Sequence, residues 1–324
     1  MQLEREPQLN ALASLVEDLD ESGGKVVLVR GEAGIGKSSL VSEFIDRHGA
    51  GAHILFGACD DLLTPQTLGA FWDIARGEPS VGEHLRADDR RQLQVALLNL
   101  LSRSLRPTLL VIEDTQWADE ATLDVIKFLG RRIGRMNGLM ILTYRDTEVD
   151  SEHPLRQVIG DLPPTSVVRM PLQPLSASAV ATLVGDGPVT AMTVLQQTDG
   201  NPLYVNELVA WGHEEVPSSI QEMVIARAAQ TSQDARRLLE TVSVVPGEAE
   251  RSVVASLAGP ELDGLSECER LGLLRSTADS VGFVHEVQRR AVEASLHPHR
   301  RLQLNEQVLR ALGPDADASP DADA

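Results

Sequence analysis

A chain of 324 residues has room for about two or three domains, and its 42% hydrophobic content can fill their cores although aromatics make up only 3%. The 48 acidic against 29 basic residues leave a net charge of −19, which argues against a nucleic-acid surface, since such binders draw on neutralised phosphates for most of their affinity. Cys59 and Cys268 form neither a disulfide framework nor a metal-ligand spacing, Glu4, Arg5 and Glu6 stand where a signal peptide would be apolar, and no run approaches a membrane span. The expected setting is a reducing cytoplasm, away from membranes.

Leu9, Leu12, Leu15, Val16 and Leu19 share one helical face, and Gly23-Gly24 ends that helix. "KVVLV" (25–29), "HILFGA" (53–58), "TLLVIED" (108–114) and "GLMILTYR" (138–145) read as strands buried on both faces. Helical patterns at 66–76, 90–104 and 119–133 lie between them. Strands alternating with helices predict crossovers and a parallel sheet, with ligands outside the carboxyl ends of the strands. The alternation covers residues 1 to about 150, and a short strand, "SVVRM", extends the α/β unit to 171. Then follow the helical segments "SASAVATLV", "VTAMTVLQQT" and "NPLYVNELVAW", bounded by Gly or Pro. Past "EEVPSS" (214–219) come more helices and a β-like stretch at 282–287. The acidic end, "GPDADASPDADA", is too poor in apolar residues to fold and is expected to be a disordered tail over 313–324.

Gly31-Glu32-Ala33-Gly34-Ile35-Gly36-Lys37-Ser38 matches G-x-x-x-x-G-K-[ST]. Gly31, Gly34 and Gly36 let the backbone, with Ile35, curl so that its N–H groups converge on phosphate oxygens. The next helix, through Ser38 and Ser39, points its positive end at the same place. Lys37 adds a point charge for the outer phosphates, and the Ser38 hydroxyl can ligate Mg²⁺. Chance would supply this pattern in roughly one chain of this length in a hundred at a glycine usage of ~7%. Lysine occurs only at positions 25, 37 and 127, which makes Lys37 less of an accident. A second piece, "LLVIEDTQWADE" (109–120), ends an apolar strand in Glu113 and Asp114, suited to hold Mg²⁺ and to polarise an attacking water. Asp119 fits a cap for the following helix, and Trp117 fits packing.

Taken in order, "GEAGIGKSSLV", "VIEDTQWADEATLD", "ILTYRDTEV", "GNPLYVNELV" and "GFVHEVQRRAV" make the chain resemble the STAND-class P-loop ATPases, in particular the nucleotide-binding region of large LuxR-type regulators and related AAA-like ATPases. The resemblance runs from about Leu3 to Leu312. It implies ATP or ADP and Mg²⁺ as ligands, with Lys37 and Ser38 on phosphate and metal. Glu113 would face Mg²⁺ and Asp114 would orient water; the family often has Asp first, so Glu113 leaves the division of roles open. Arg145 would sense the γ-phosphate, and Pro202 would lie against adenine. His285, where relatives have a Met-His-Asp motif, would reach the β-phosphate of ADP. "LERE" stands where the family has "GRE", with Glu4 replacing glycine. The implied protein is a regulatory ATP switch with slow Mg²⁺-dependent hydrolysis and an ADP-bound resting form. It would meet a protein partner, or itself, when ATP binds.

The expected fold is α/β: a P-loop parallel sheet (1–171), a helical lid (172–215) and a winged-helix-like domain (216–312). A DNA-associated, origin-recognition-type ATPase is the alternative, resting on "HPHRRLQL" (297–304) with Arg289 and Arg290; a non-hydrolysing nucleotide scaffold is a third reading. Across 216–312 there are 13 acidic and 11 basic residues, which leaves no domain-wide positive field.

Overall fold

The computed structural model describes residues 3–311 except 63, 65, 104, 105 and 214. The acidic stretch 313–324 lies outside the described residues. The chain divides into two compact units, Met1–Gln173 and Pro174–Ala324.

The first unit opens with α1 (Glu6–Glu17) and the single turn α2 (Leu19–Ser22). The chain then runs through β1 (Lys25–Arg30), α3 (Lys37–His48), β2 (His53–Ala58), α4 (Gly69–Ala75), α5 (Pro79–Arg86) and α6 (Arg90–Arg103). It continues with β3 (Thr108–Glu113), α7 (Glu120–Gly130), β4 (Gly138–Tyr144), α8 (Pro154–Gly160) and β5 (Val167–Pro171). The five strands are all parallel in the order β2-β3-β4-β1-β5. Successive side chains point to opposite faces. Val26, Leu28, Leu110, Ile112, Met140 and Leu142 therefore enter one core with α4 to α8. Val27, Val29, Leu109, Val111, Leu139 and Ile141 enter the other, against Leu9 and Leu12 of α1 and Leu40, Val41 and Phe44 of α3. This double burial is why the strands read as unbroken apolar runs.

β2 departs from that expectation. It is an edge strand, and Phe56 within it is 43% exposed. The helical pattern at 119–133 also ends early: α7 stops at Gly130, and a 3-10 turn over Ile133–Arg135 leads into β4. α5 was not anticipated, being one short helix with only Val81, Gly82 and Leu85 buried.

The second unit begins with α9 (Ala177–Val184), α10 (Ala191–Thr198) and α11 (Pro202–Trp211). α12 (Ser218–Ala229), α13 (Gln233–Ser243), β6 (Glu248–Glu250), α14 (Arg251–Ala258) and α15 (Leu265–Arg270) follow. β7 (Leu274–Ser276), β8 (Ser280–Phe283), α16 (Glu286–Ser295) and α17 (Pro298–Ala311) complete it. β6, β8 and β7 pair antiparallel, in that order, to give the small sheet of a winged-helix-like arrangement. Tyr204 and Leu208 of α11 join Ile220, Leu238, Val281 and Val287 in one core, so the helical segment and the sheet are packed together. The β-like stretch at 282–287 resolves differently from expectation. β8 ends at Phe283, and His285 is the N-cap of α16.

Candidate functional site

The phosphate-type loop leaves the carboxyl end of β1 and enters α3. Gly34 (φ 80°) and Gly36 (φ 97°) hold left-handed conformations that side chains disfavour, which is what the two glycines are needed for. Ile35 is buried in the core beside α3 and anchors the loop from below. The loop is also held from the N-terminus: the buried Arg5 guanidinium donates to the Ile35 carbonyl at 3.0 Å and to the Gln173 carbonyl at 2.8 Å. Glu4, just before Arg5, has φ 59°. That left-handed backbone is uncommon for a residue with a side chain.

Lys37 is the first residue of α3 and is 7% exposed. Its Nζ donates to the Gly31 and Glu32 carbonyls, both at 2.9 Å, curling the side chain back over the loop. Burial, with the Arg145 charge nearby, lowers its pKa to about 8, against the pull of Asp114, Asp146 and Glu148. Ser38 and Ser39 follow, both exposed in the first turn.

In the strand order β3-β4-β1, the ends of all three strands meet at one edge of the sheet. Glu113 ends β3 with its carboxyl pKa raised by desolvation, an effect that the Ser38 hydroxyl opposes by hydrogen bonding. Glu113 Oε1 is buried without a hydrogen bond among the described residues. Asp114 turns the chain with φ 51°, and its N–H donates to Thr143 Oγ1 of β4 at 3.0 Å. Thr115 Oγ1 donates to the Thr143 carbonyl at 2.9 Å. Arg145 leaves the end of β4 with Nη1 2.7 Å from Glu148, Nε 3.9 Å from Asp114 and its guanidinium 4.5 Å from the Trp117 ring centre. Lys37, Ser38, Glu113, Asp114 and Arg145 thus come together in one unit. Hard oxygens on Ser38 and Glu113, one of them orphaned and buried, fit Mg²⁺.

Gln116 is a residue that sequence reasoning missed. Its side chain is 5% exposed; Nε2 donates to Asp114 Oδ1 at 2.9 Å, and Oε1 accepts the Arg145 N–H at 3.1 Å. Its own carbonyl lies 3.1 Å from His153 Nε2, while His153 Nδ1 accepts the Leu155 N–H at the start of α8. Thr143 was missed too, although a threonine inside the apolar run "ILTY" was a visible signal. Asp119 caps α7, accepting from the Ala121 and Thr122 N–H groups at 3.0 and 3.1 Å, and also from the Leu68 N–H at 3.1 Å. Trp117 is partly buried against the core and under Arg145.

Pro202 and His285 lie in the second unit. Pro202 opens α11 behind Asn201, whose side chain caps the helix, and Gly200 (φ 79°) passes so close to the Leu175 carbonyl that a Cβ would come within 2.2 Å of it. His285 is 4% exposed, edge-on to Tyr204 at 5.1 Å between ring centres, with Nδ1 3.6 Å from an Asp199 carboxylate oxygen. Gln288 completes this cluster: its Oε1 accepts the His285 N–H at 3.2 Å, and its Nε2 donates to the Tyr204 hydroxyl at 3.0 Å. The structure therefore brings His285 beside the "GNPLY" segment. Arg289, in contrast, is buried, bonded to Glu286 and Glu293 and donating to the Ser243 carbonyl. Arg300 pairs with Glu240 at 2.9 Å.

Residues 3–142 match the AAA ATPase domain. The chain is similar in fold to the Walker-type ATPase of Pyrococcus abyssi, at 12% identity and a TM-score of 0.61, covering 90% of this chain and 96% of that one. Weaker likenesses include a STAND protein with a tetratricopeptide repeat sensor from Pyrococcus horikoshii, at 16% identity and a TM-score of 0.43, covering 98% of this chain but 46% of that one. Another is a Cdc6 protein of Pyrobaculum aerophilum, at 14% identity and a TM-score of 0.45, covering 97% and 96% of the two chains. No curated protein matches the sequence. The first unit has the α/β fold of a P-loop NTPase. No helix among the described residues is long and apolar enough to cross a membrane.

Proposed function

We propose that the chain is an ATP-binding regulatory switch of the STAND kind, related to the nucleotide-binding region of LuxR-type regulators, which hydrolyses ATP slowly and rests with ADP bound. The observation that carries this reading is the meeting of Lys37, Ser38, Glu113, Asp114 and Arg145 at the carboxyl ends of three neighbouring parallel strands. The loop amides and Lys37 would hold the phosphates, with Gly31, Gly34, Ile35 and Gly36 shaping the cradle and Ser38 and Ser39 opening the helix. Mg²⁺, held by Ser38 and Glu113, would neutralise charge on the outer phosphates. Asp114, its carboxylate oriented by Gln116, would accept a hydrogen bond from the attacking water. Arg145 is poised among Asp114, Glu148 and Trp117, where a γ-phosphate would compete for its guanidinium.

Pro202 is assigned to adenine and His285 to ADP. The placement of His285 against Tyr204, two residues past Pro202, supports giving both to one ligand. In this reading residues 172–215 form the lid and 216–312 the winged-helix-like domain, and ATP promotes contact with a protein partner or a second copy. The DNA-associated alternative loses support, because Arg289 is buried in a carboxylate pair and Arg300 is neutralised by Glu240.

The test uses purified protein and Mg-nucleotide. Lys37→Ala should abolish ATP and ADP binding, and unchanged binding would defeat the site. His285→Ala should speed ADP release while leaving ATP capture intact; an equal ADP off-rate would remove the resting-state assignment.

A further inference from the structure

A basic surface of the first unit lies at the opposite end of the sheet from the phosphate loop. It is an open trough of about 1020 Å³ whose walls carry Lys25, Lys127, Arg131, Arg132 and Arg135 around Phe128. Lys25 is the first residue of β1, while the loop follows its last, about 17–20 Å away at the rise of a six-residue strand. In a chain of net charge −19, two of the three lysines meet here.

A helix C-terminus attracts cations on its own account, and Lys127, Arg131 and Arg132 at the end of α7 could be no more than that. Lys25 and Arg135 do not fit that explanation. They come from the start of a strand and from the 3-10 turn Ile133–Arg135, and they converge on the same trough. Backbone packing fixes their relative positions: a Cβ on Gly23 would fall 2.1 Å from the Gly134 carbonyl oxygen, and one on Gly24 would fall 2.5 Å from those of Ile133 and Gly138. Arg132 is likewise held, 3.8 Å over the Phe128 ring and donating to the Phe128 carbonyl at 2.8 Å. Lys25 Nζ donates to the Thr165 carbonyl at 3.1 Å. Among the described lining residues Asp124 is the one carboxylate, and Asp161 pairs with Lys127 at 2.5 Å. Arg131 and Arg135 form no ion pair within 4 Å among the described residues.

We propose that this trough binds a short acidic polypeptide segment of a partner protein. Arginine forks match carboxylates bidentately, and an extended peptide suits an open trough, whereas a small ligand needs walls that enclose most of it. A long polyanion such as duplex nucleic acid would run beyond the positive region onto a strongly acidic molecule, where repulsion extends over a Debye length of about 8–10 Å. This assignment is independent of the nucleotide site.

The experiment measures fluorescence polarisation of a labelled peptide of five Glu-Ser repeats on the full chain, with Mg-ADP present and absent. Saturable binding that weakens at least tenfold in Arg131→Glu/Arg135→Glu, less in the glutamine pair, and that Mg-ADP does not displace is the expected result. Both arginines are exposed, so circular dichroism and melting should be unaltered in the variants. No saturable binding, binding indifferent to the charge reversals, or displacement by Mg-ADP would overturn the proposal. So would tighter binding of tripolyphosphate or of a short DNA duplex that the same reversals abolish.

Discussion

Lys37 carries the clearest electrostatic signature of the site. Its pKa of about 8, against an ordinary 10.5, means that the folded chain releases this proton before the unfolded one does. Below pH 8 both states are protonated and the penalty for burying the ammonium is fully present. Between about 8 and 10.5 stability rises with pH, because the unfolded chain binds more protons. Phosphate binding needs the charged form, so Mg-ADP affinity should fall about tenfold between pH 7 and pH 9, as measured by calorimetry. A flat profile would mean that Lys37 stays protonated without phosphate. Gln116 is the second residue with a sharp expectation. Gln116→Ala would strip a partner from the Asp114 carboxylate and from the Arg145 N–H, both partly buried. Unsatisfied groups of that kind cost about 1–3 kcal/mol each. Urea melts should show a loss of that order, and turnover should drop with little change in the KM for ATP; unchanged stability and turnover would assign Gln116 no positioning role.

At the scale of elements, the loops at the strand ends are held by caps and by threonines within strands. Asp119 joins two segments, because it caps α7 and also accepts the Leu68 N–H just before α4. Losing an N-cap costs about 0.5–2 kcal/mol. Asp119→Ala should lie at the upper end of that range by chemical denaturation, and Asp119→Asn should recover most of the loss; a change below 0.5 kcal/mol would deny the second contact. The strands were legible because parallel pairing with helices on both faces demands unbroken apolar runs, and "TLLVIE" and "GLMILTY" supply them. The phosphate loop was legible because its glycines are dictated by backbone conformation. Gln116 and His153 were not legible. Their roles depend on pairings 29 and 37 residues away in sequence, which no local pattern encodes.

For the molecule as a whole, each unit closes its own hydrophobic core. The second does so through Tyr204, Leu208, Leu238, Val281 and Val287, with Leu304 and Val308 of α17 packed against Val244. A fragment of residues 174–311 should therefore fold alone and unfold cooperatively in circular dichroism, and a fragment without a melting transition would contradict a self-sufficient core. Nucleotide at a hundred times its Kd should stabilise the intact chain by about 2.7 kcal/mol. The charge distribution also acquires meaning only here. The net acidity argues against a nucleic-acid surface, yet Lys25, Lys127 and three arginines gather in one trough.

By itself, the sequence determined whatever depends on local backbone conformation and side-chain periodicity: the strands, the glycine-shaped loop, the acidic pair after β3 and the cap at Asp119. Tertiary structure decided what depends on strand order and on burial. Placing β4 between β3 and β1 brings Arg145 to the same sheet end as Lys37 and Asp114, and gives Gln116 the Arg145 N–H, a partner that it could not otherwise reach. Packing in the second unit also buries Arg289, which already has Glu286 and Glu293 on its own helix, against the Ser243 carbonyl, turning an apparent basic motif inward. The physical reason is that charge and hydrogen bonding act through space over a few ångströms, and only the packed chain specifies which residues those distances join.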